Sequence, residues 1–260
     1  MKTALKLILV YFIITQLAAP LLMMIPCVLY LFATGGLTQA ALTDSLLVPT
    51  LLAGQTMMGI YLWKAGYIST QKSTWSAVSA PYLFFSALAM LSGGFIVSSF
   101  MSLMDWLPNI LEQTFETLLS SWSGIFSIVI AGPVIEEVLF RGAITQALLK
   151  QYSPVKAILF SALLFGLIHI NPAQVVPAFL IGILLAWTYY KTRSLIPCIV
   201  MHILNNSLSV YISMKYPEAK EIDDLISGTP YFIVLAGMIL AFVLSIASMR
   251  HFTKNNTGLG

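Results

Sequence analysis

Charge is what this sequence has least of. Of its 260 residues only 9% are Asp, Glu, Lys or Arg, while 58% are hydrophobic. A soluble domain carries about 25% charged residues, so a soluble globular fold is excluded and an integral membrane protein is predicted. The formal net charge is +3, with no Lys/Arg cluster that could track phosphates, which argues against nucleic acid as a partner. Cysteine is almost absent. Cys27 and Cys198 both lie in apolar runs and no C-x-x-C pair occurs, so there is no disulfide framework. Cys198 stands four residues before His202, on the same helix face, where a metal role is conceivable; a small buried apolar residue is the plainer reading. Internal repeats, low-complexity tracts and a soluble domain are also missing.

What is present is a series of apolar stretches near 7–33, 46–63, 77–101, 122–149, 155–170, 173–190, 195–213 and 230–249. The pattern predicts an all-α, polytopic transmembrane helix bundle of about eight spans, a single integral membrane domain over 1–260. Several stretches are shorter than the roughly 20 residues of a straight crossing, which a bundle holding water and buried irregular backbone tolerates. Lys2 and Lys6 before the first run, with Leu17-Ala18-Ala19-Pro20 after it, resemble a signal peptide. The run continues to Phe32, however, and reads as an uncleaved first span.

Loop charges test the count. With the N-terminus cytoplasmic, the inner segments hold Lys2, Lys6, Lys64, Lys72, Lys150, Lys156, Lys191, Arg193, Arg250 and Lys254. The outer loops keep only Lys215 and Lys220 among the cations. They also collect Asp44, Asp105, Glu112, Glu116, Glu218, Glu221, Asp223 and Asp224. This alternation predicts eight spans with both termini cytoplasmic. Over 104–121, Trp106, Leu107, Ile110, Leu111, Phe115, Leu118 and Leu119 share one face, with Glu112, Gln113 and Glu116 opposite. That spacing predicts an amphipathic helix lying flat on the outer leaflet.

Ionisable side chains at membrane depth are functional suspects. The fourth span reads Ala131-Gly132-Pro133-Val134-Ile135-Glu136-Glu137-Val138-Leu139-Phe140-Arg141-Gly142. Pro133 cannot donate to the Val129 carbonyl, so a break there would let water in beside two carboxylates. Glu137 and Arg141, spaced i, i+4, predict an intrahelical ion pair. Glu136 points about 100° away, free to take an acid–base role while Glu137 is structural. The fifth span ends at His169, before Asn171-Pro172 stops the helix. Alone, that histidine is more often a helix-end hydrogen-bonding group. In the seventh span His202 and Asn206 share a face and offer two donors to one point, as a developing oxyanion requires. The plainer alternative is interhelical glue, a role open to Asn205 as well.

Taken in order, Glu136-Glu137-x-x-x-Arg141, Phe165-x-x-x-His169 and His202-x-x-x-Asn206 resemble the CAAX-protease and bacteriocin-processing (CPBP, Abi-type) family, over residues 77–213. The resemblance implies an intramembrane endopeptidase that cleaves membrane-associated peptides or proteins. It implies that Glu136 and His169 hold and deprotonate the attacking water. His202 and Asn206 would bind the oxyanion, and Glu137 and Arg141 would brace the site. Relatives are often labelled metalloproteases, and zinc on Glu136, His169 and His202 is possible in principle. With no H-E-x-x-H pair, metal-free general-base chemistry is favoured.

Two other functions compete. A non-catalytic scaffold or immunity protein of this family would keep the fold but has no chemical need for all four motif residues. A proton-relaying transporter would usually show inverted repeats or paired broken helices, and neither occurs. One geometric tension remains in the spans themselves. Counted along straight helices, Glu136 lies mid-membrane, His202 nearer the cytoplasm and His169 nearer the outside. Convergence needs the fifth span to tilt or begin deeper, or the fourth to break at Pro133.

Overall fold

The computed structural model describes residues 1–219 and 222–256. Lys220 and Glu221 fall outside the described residues, as do the side chains of Asp223 and Lys254. Among the described residues every regular element is helical. In chain order they are α1 (Lys2–Ala33), α2 (Gln39–Lys64), α3 (Ala80–Met101), α4 (Glu112–Leu119) and α5 (Trp122–Leu149), followed by α6 (Pro154–Leu167), α7 (Pro172–Thr192), α8 (Ile196–Lys215), α9 (Ile222–Leu225) and α10 (Gly228–Asn256). Seven of these are long and apolar enough to cross a membrane, and α6 is a shorter apolar helix. The eight expected spans are therefore all helices, and the chain is an integral membrane protein.

Local chemistry sets the ends. Thr38, Ser79 and Ser121 accept a backbone N–H at the starts of α2, α3 and α5, at 3.1, 3.4 and 3.1 Å. Such caps satisfy donors that have no partner within the helix. Proline opens α6, α7 and the first turn of α8, where its missing N–H does no harm. Arg193, in the left-handed region at φ 56°, ends α7.

The contacts group into two compact units, residues 1–69 with 111–147, and residues 70–110 with 148–260. In the first unit α2 packs along α1 and touches α4 and the middle of α5, while the start of α1 lies against 138–145. In the second, α6 runs along α7, α10 runs along α3, and α8 packs on both α3 and α7. Glycine allows the α6–α7 approach. A Cβ at Gly166 would stand 2.7 Å from the Val175 carbonyl, and one at Gly182 3.0 Å from the Phe165 ring. Small residues at such crossings give helices their contact area in lipid, where the hydrophobic effect does not drive them together. Leu21, Ile25 and Phe32 stay exposed on the long apolar helices, as a lipid-facing surface requires.

Two expectations are corrected. Pro133 does not break the fourth span. The helix runs on from Trp122 to Leu149 but widens into π turns at Ser127–Ala131 and Val138–Thr145. Gly132 N–H reaches back five residues to Ser127 O, so the ladder is rerouted ahead of the proline rather than cut. The amphipathic helix expected over 104–121 exists only as Glu112–Leu119. Pro108 and the hydrogen bonds of Asn109 and Ile110 to Asn171 hold the stretch before it in turns.

Candidate active site

Three of the six residues singled out above belong to the first unit. Glu137 and Arg141 are fully buried and paired, with Arg141 Nη1 donating to Glu137 Oε1 at 2.8 Å. The guanidinium also lies 5.9 Å from the centre of the Phe140 ring. All of Val138–Thr145 is buried, so this ion pair sits inside the protein rather than in lipid. Glu136, one residue earlier, is only half-buried and faces another way, as the 100° step requires. Tyr11 of α1 is close enough to interact electrostatically with it. The two carboxylates are thus distinct in setting: one locked, one accessible.

The other three belong to the second unit, and they are gathered. The Phe165 ring meets His169 edge-on at 5.2 Å between centroids and 79°, and meets His202 at 5.6 Å and 80°. One aromatic ring therefore fixes two imidazoles. Their expected difference in depth is removed by the length of α6, whose 14 residues rise only about 21 Å, short of a bilayer core of about 30 Å. His169 follows that helix end and is half-buried.

The proton on His169 is placed by its neighbour. Its Nδ1 lies 2.9 Å from the Phe165 carbonyl oxygen, which can only accept, so Nδ1–H is the donor. In the neutral ring this leaves Nε2 as the basic nitrogen. The turn beyond is strained: Ile170 has φ 61°, an uncommon value for a β-branched residue. Asn171 braces it. Fully buried, it accepts from Ile110 N–H at 3.1 Å and donates to Asn109 Oδ1 at 2.8 Å.

His202 is buried, 4% exposed, and Asn206 stands one turn further along α8. Asn205 Nδ2 donates to Asn206 Oδ1 at 3.2 Å. With its oxygen engaged, Asn206 turns its NH₂ group away from Asn205. Cys198 is a buried thiol over the Leu185 and Ser194 carbonyls, at 3.5 and 3.7 Å.

Among the described residues no three His, Cys, Asp or Glu side chains are grouped to share a cation. Of the two carboxylates on α5, Glu137 is committed to Arg141, which leaves Glu136 with an accessible face. The chemistry such residues offer is acid–base and hydrogen bonding.

Reading the sequence one motif at a time misses Gln55, whose amide meets Ser127, and names Phe165, Asn171 and Asn205 without the contacts they make: Phe165 with both imidazoles, Asn171 with Ile110 and Asn109, Asn205 with Asn206. Gln55 and Asn205 were visible as polar groups within apolar spans. The role of Phe165 has no sequence signal beyond its place in the motif.

Residues 118–208 match the family model described as Type II CAAX prenyl endopeptidase Rce1-like. The membrane-embedded CAAX protease MroQ of Staphylococcus aureus (strain USA300) is 30% identical over 102 residues, 36% of this chain and 41% of the relative. The chain thus covers less than half of that relative's length. No solved structure matches. The three motifs all fall inside the matched segment.

Proposed function

We propose that this protein is an intramembrane endopeptidase that hydrolyses peptide bonds of membrane-associated peptides or proteins. The observation that carries the reading is the pair of imidazoles held on Phe165, one with its proton placed on Nδ1. A ring fixed in that tautomer presents Nε2 as a base. The match of residues 118–208 to the Type II CAAX prenyl endopeptidase Rce1-like model supports the reaction class.

In this mechanism the resemblance of the motifs assigns Glu136 and His169 Nε2 to the attacking water, whose proton they take as its oxygen attacks the scissile carbonyl carbon. The carbonyl oxygen becomes an oxyanion, to which the His202 ring N–H and Asn206 NH₂ donate. Donors aimed at developing charge are commonly worth about 2.7–4 kcal/mol each. Collapse of the tetrahedral intermediate breaks the C–N bond, and the proton taken from water passes to the leaving amine. Glu137 and Arg141 keep the α5 backbone in place beneath Glu136. Recognition of a prenyl group is no part of the proposal.

The test is turnover of a cleavable membrane peptide by purified protein in liposomes. Glu136→Gln and His169→Ala abolish cleavage while the protein stays folded. Full activity in both variants would end this reading.

A further inference from the structure

Gln55 is an amide that α2 carries into the first unit beside Ser127. Its Nε2 donates to Ser127 O at 3.1 Å, and its Oε1 accepts from Ser127 Oγ at 3.0 Å. Ser127 opens the first widened turn of α5, and its carbonyl also takes the Gly132 N–H from five residues on. One side chain from a neighbouring helix therefore clamps, at both ends of its amide, the turn that leads into Pro133.

Gly132 is where this clamp meets Glu136. A Cβ on Gly132 would stand 3.0 Å from Ser127 O, 3.2 Å from Gln55 Nε2 and 3.7 Å from Glu136 Oε1. Polar atoms from three residues thus surround one point, and any side chain at 132 would push them apart. A π turn also turns every later side chain about the helix axis relative to continued α geometry. If the clamp is released and the turn relaxes, Glu136 rotates with it.

We propose that Gln55 is a positioning residue for Glu136, setting the carboxylate through the Ser127 turn and the bare edge of Gly132. The inference rests on the reading of Glu136 as the group that activates water. Ordinary interhelical glue is the rival account of a polar residue in a span, and it predicts a different result.

Full-length protein in liposomes carries the test. Gln55→Leu should lower kcat by about 10- to 100-fold at unchanged KM, the usual effect of a misplaced catalytic group. Gly132→Ala should do the same. In infrared difference spectra, the carboxyl band assigned to Glu136 by its loss in Glu136→Gln should move in Gln55→Leu, a readout that needs no turnover. If Gln55→Leu does not fold, Ser127→Ala, which removes one of the two bonds to Gln55, should move the band and lower kcat to a smaller degree. A lowered thermal midpoint with band and kcat unchanged would make Gln55 glue and overturn the inference. Full turnover in Glu136→Gln would instead sink the hydrolase role of Glu136, whatever the band does.

Discussion

Arg141 Nη1 lies 2.8 Å from Glu137 Oε1, and neither side chain has any surface exposed. Removing one member of a buried ion pair leaves an uncompensated charge, costing about 3–5 kcal/mol. Arg141→Ala and Glu137→Ala should each unfold in detergent with midpoints well below the parent. The double variant Glu137→Leu/Arg141→Met should recover much of the loss. Equal instability of the double and single variants, by thermal or denaturant titration, would show that the pair is not the cause.

Phe165 bears on both imidazoles, so its truncation should harm stability and turnover together. Phe165→Ala should cost about 3–5 kcal/mol, as large-to-small core changes do. It should also depress kcat in the folded fraction more than a Phe→Ala change at lipid-facing Phe84. Side-by-side kinetics and melting of the two variants decide this.

Asn206 is expected to act at the transition state alone. Asn206→Ala should cut kcat by about 10²–10³ with little change in KM, the usual effect of losing one oxyanion donor. Asn205→Leu should give a milder loss, since it only frees the Asn206 oxygen. Steady-state kinetics on one peptide substrate separates the two, and an Asn205→Leu loss larger than that of Asn206→Ala would contradict the assignment.

Asn171 holds the strained turn at Ile170. Asn171→Ala leaves the Ile110 N–H and the Asn109 side chain without their partner, a loss of about 1–3 kcal/mol. Turnover should fall as well, because the strained turn that carries His169 is released. Retained stability and activity in this variant would show that the His169 turn holds without the brace.

Metal content is the last test. With no H-E-x-x-H pair in the sequence, metal-free general-base chemistry is the expectation, so protein purified and dialysed against chelator should keep its cleavage rate. Stoichiometric zinc by elemental analysis, with activity lost on its removal and restored on its return, would overturn that expectation.

Membrane residence, the eight helical stretches and the suspect residues could all be read from the chain. Each follows from local composition: low charge, runs long enough to span, and ionisable groups where lipid penalises them. The Glu137–Arg141 pair belongs here too, because an i, i+4 spacing on one helix needs no other element. Three motifs in order were enough to point to the family model that residues 118–208 match. The meeting of His169 and His202 on Phe165 was not readable, because it depends on how far the 14 residues of α6 reach and how closely α7 approaches at Gly166 and Gly182. Nor was the continuity of α5 past Pro133. A proline announces a lost hydrogen bond, but whether the helix breaks or widens depends on which neighbouring groups take up the freed carbonyls. Here the Ser127 carbonyl takes both the Gly132 N–H and the amide of Gln55 on another helix, and contacts between helices distant in sequence are settled only by packing.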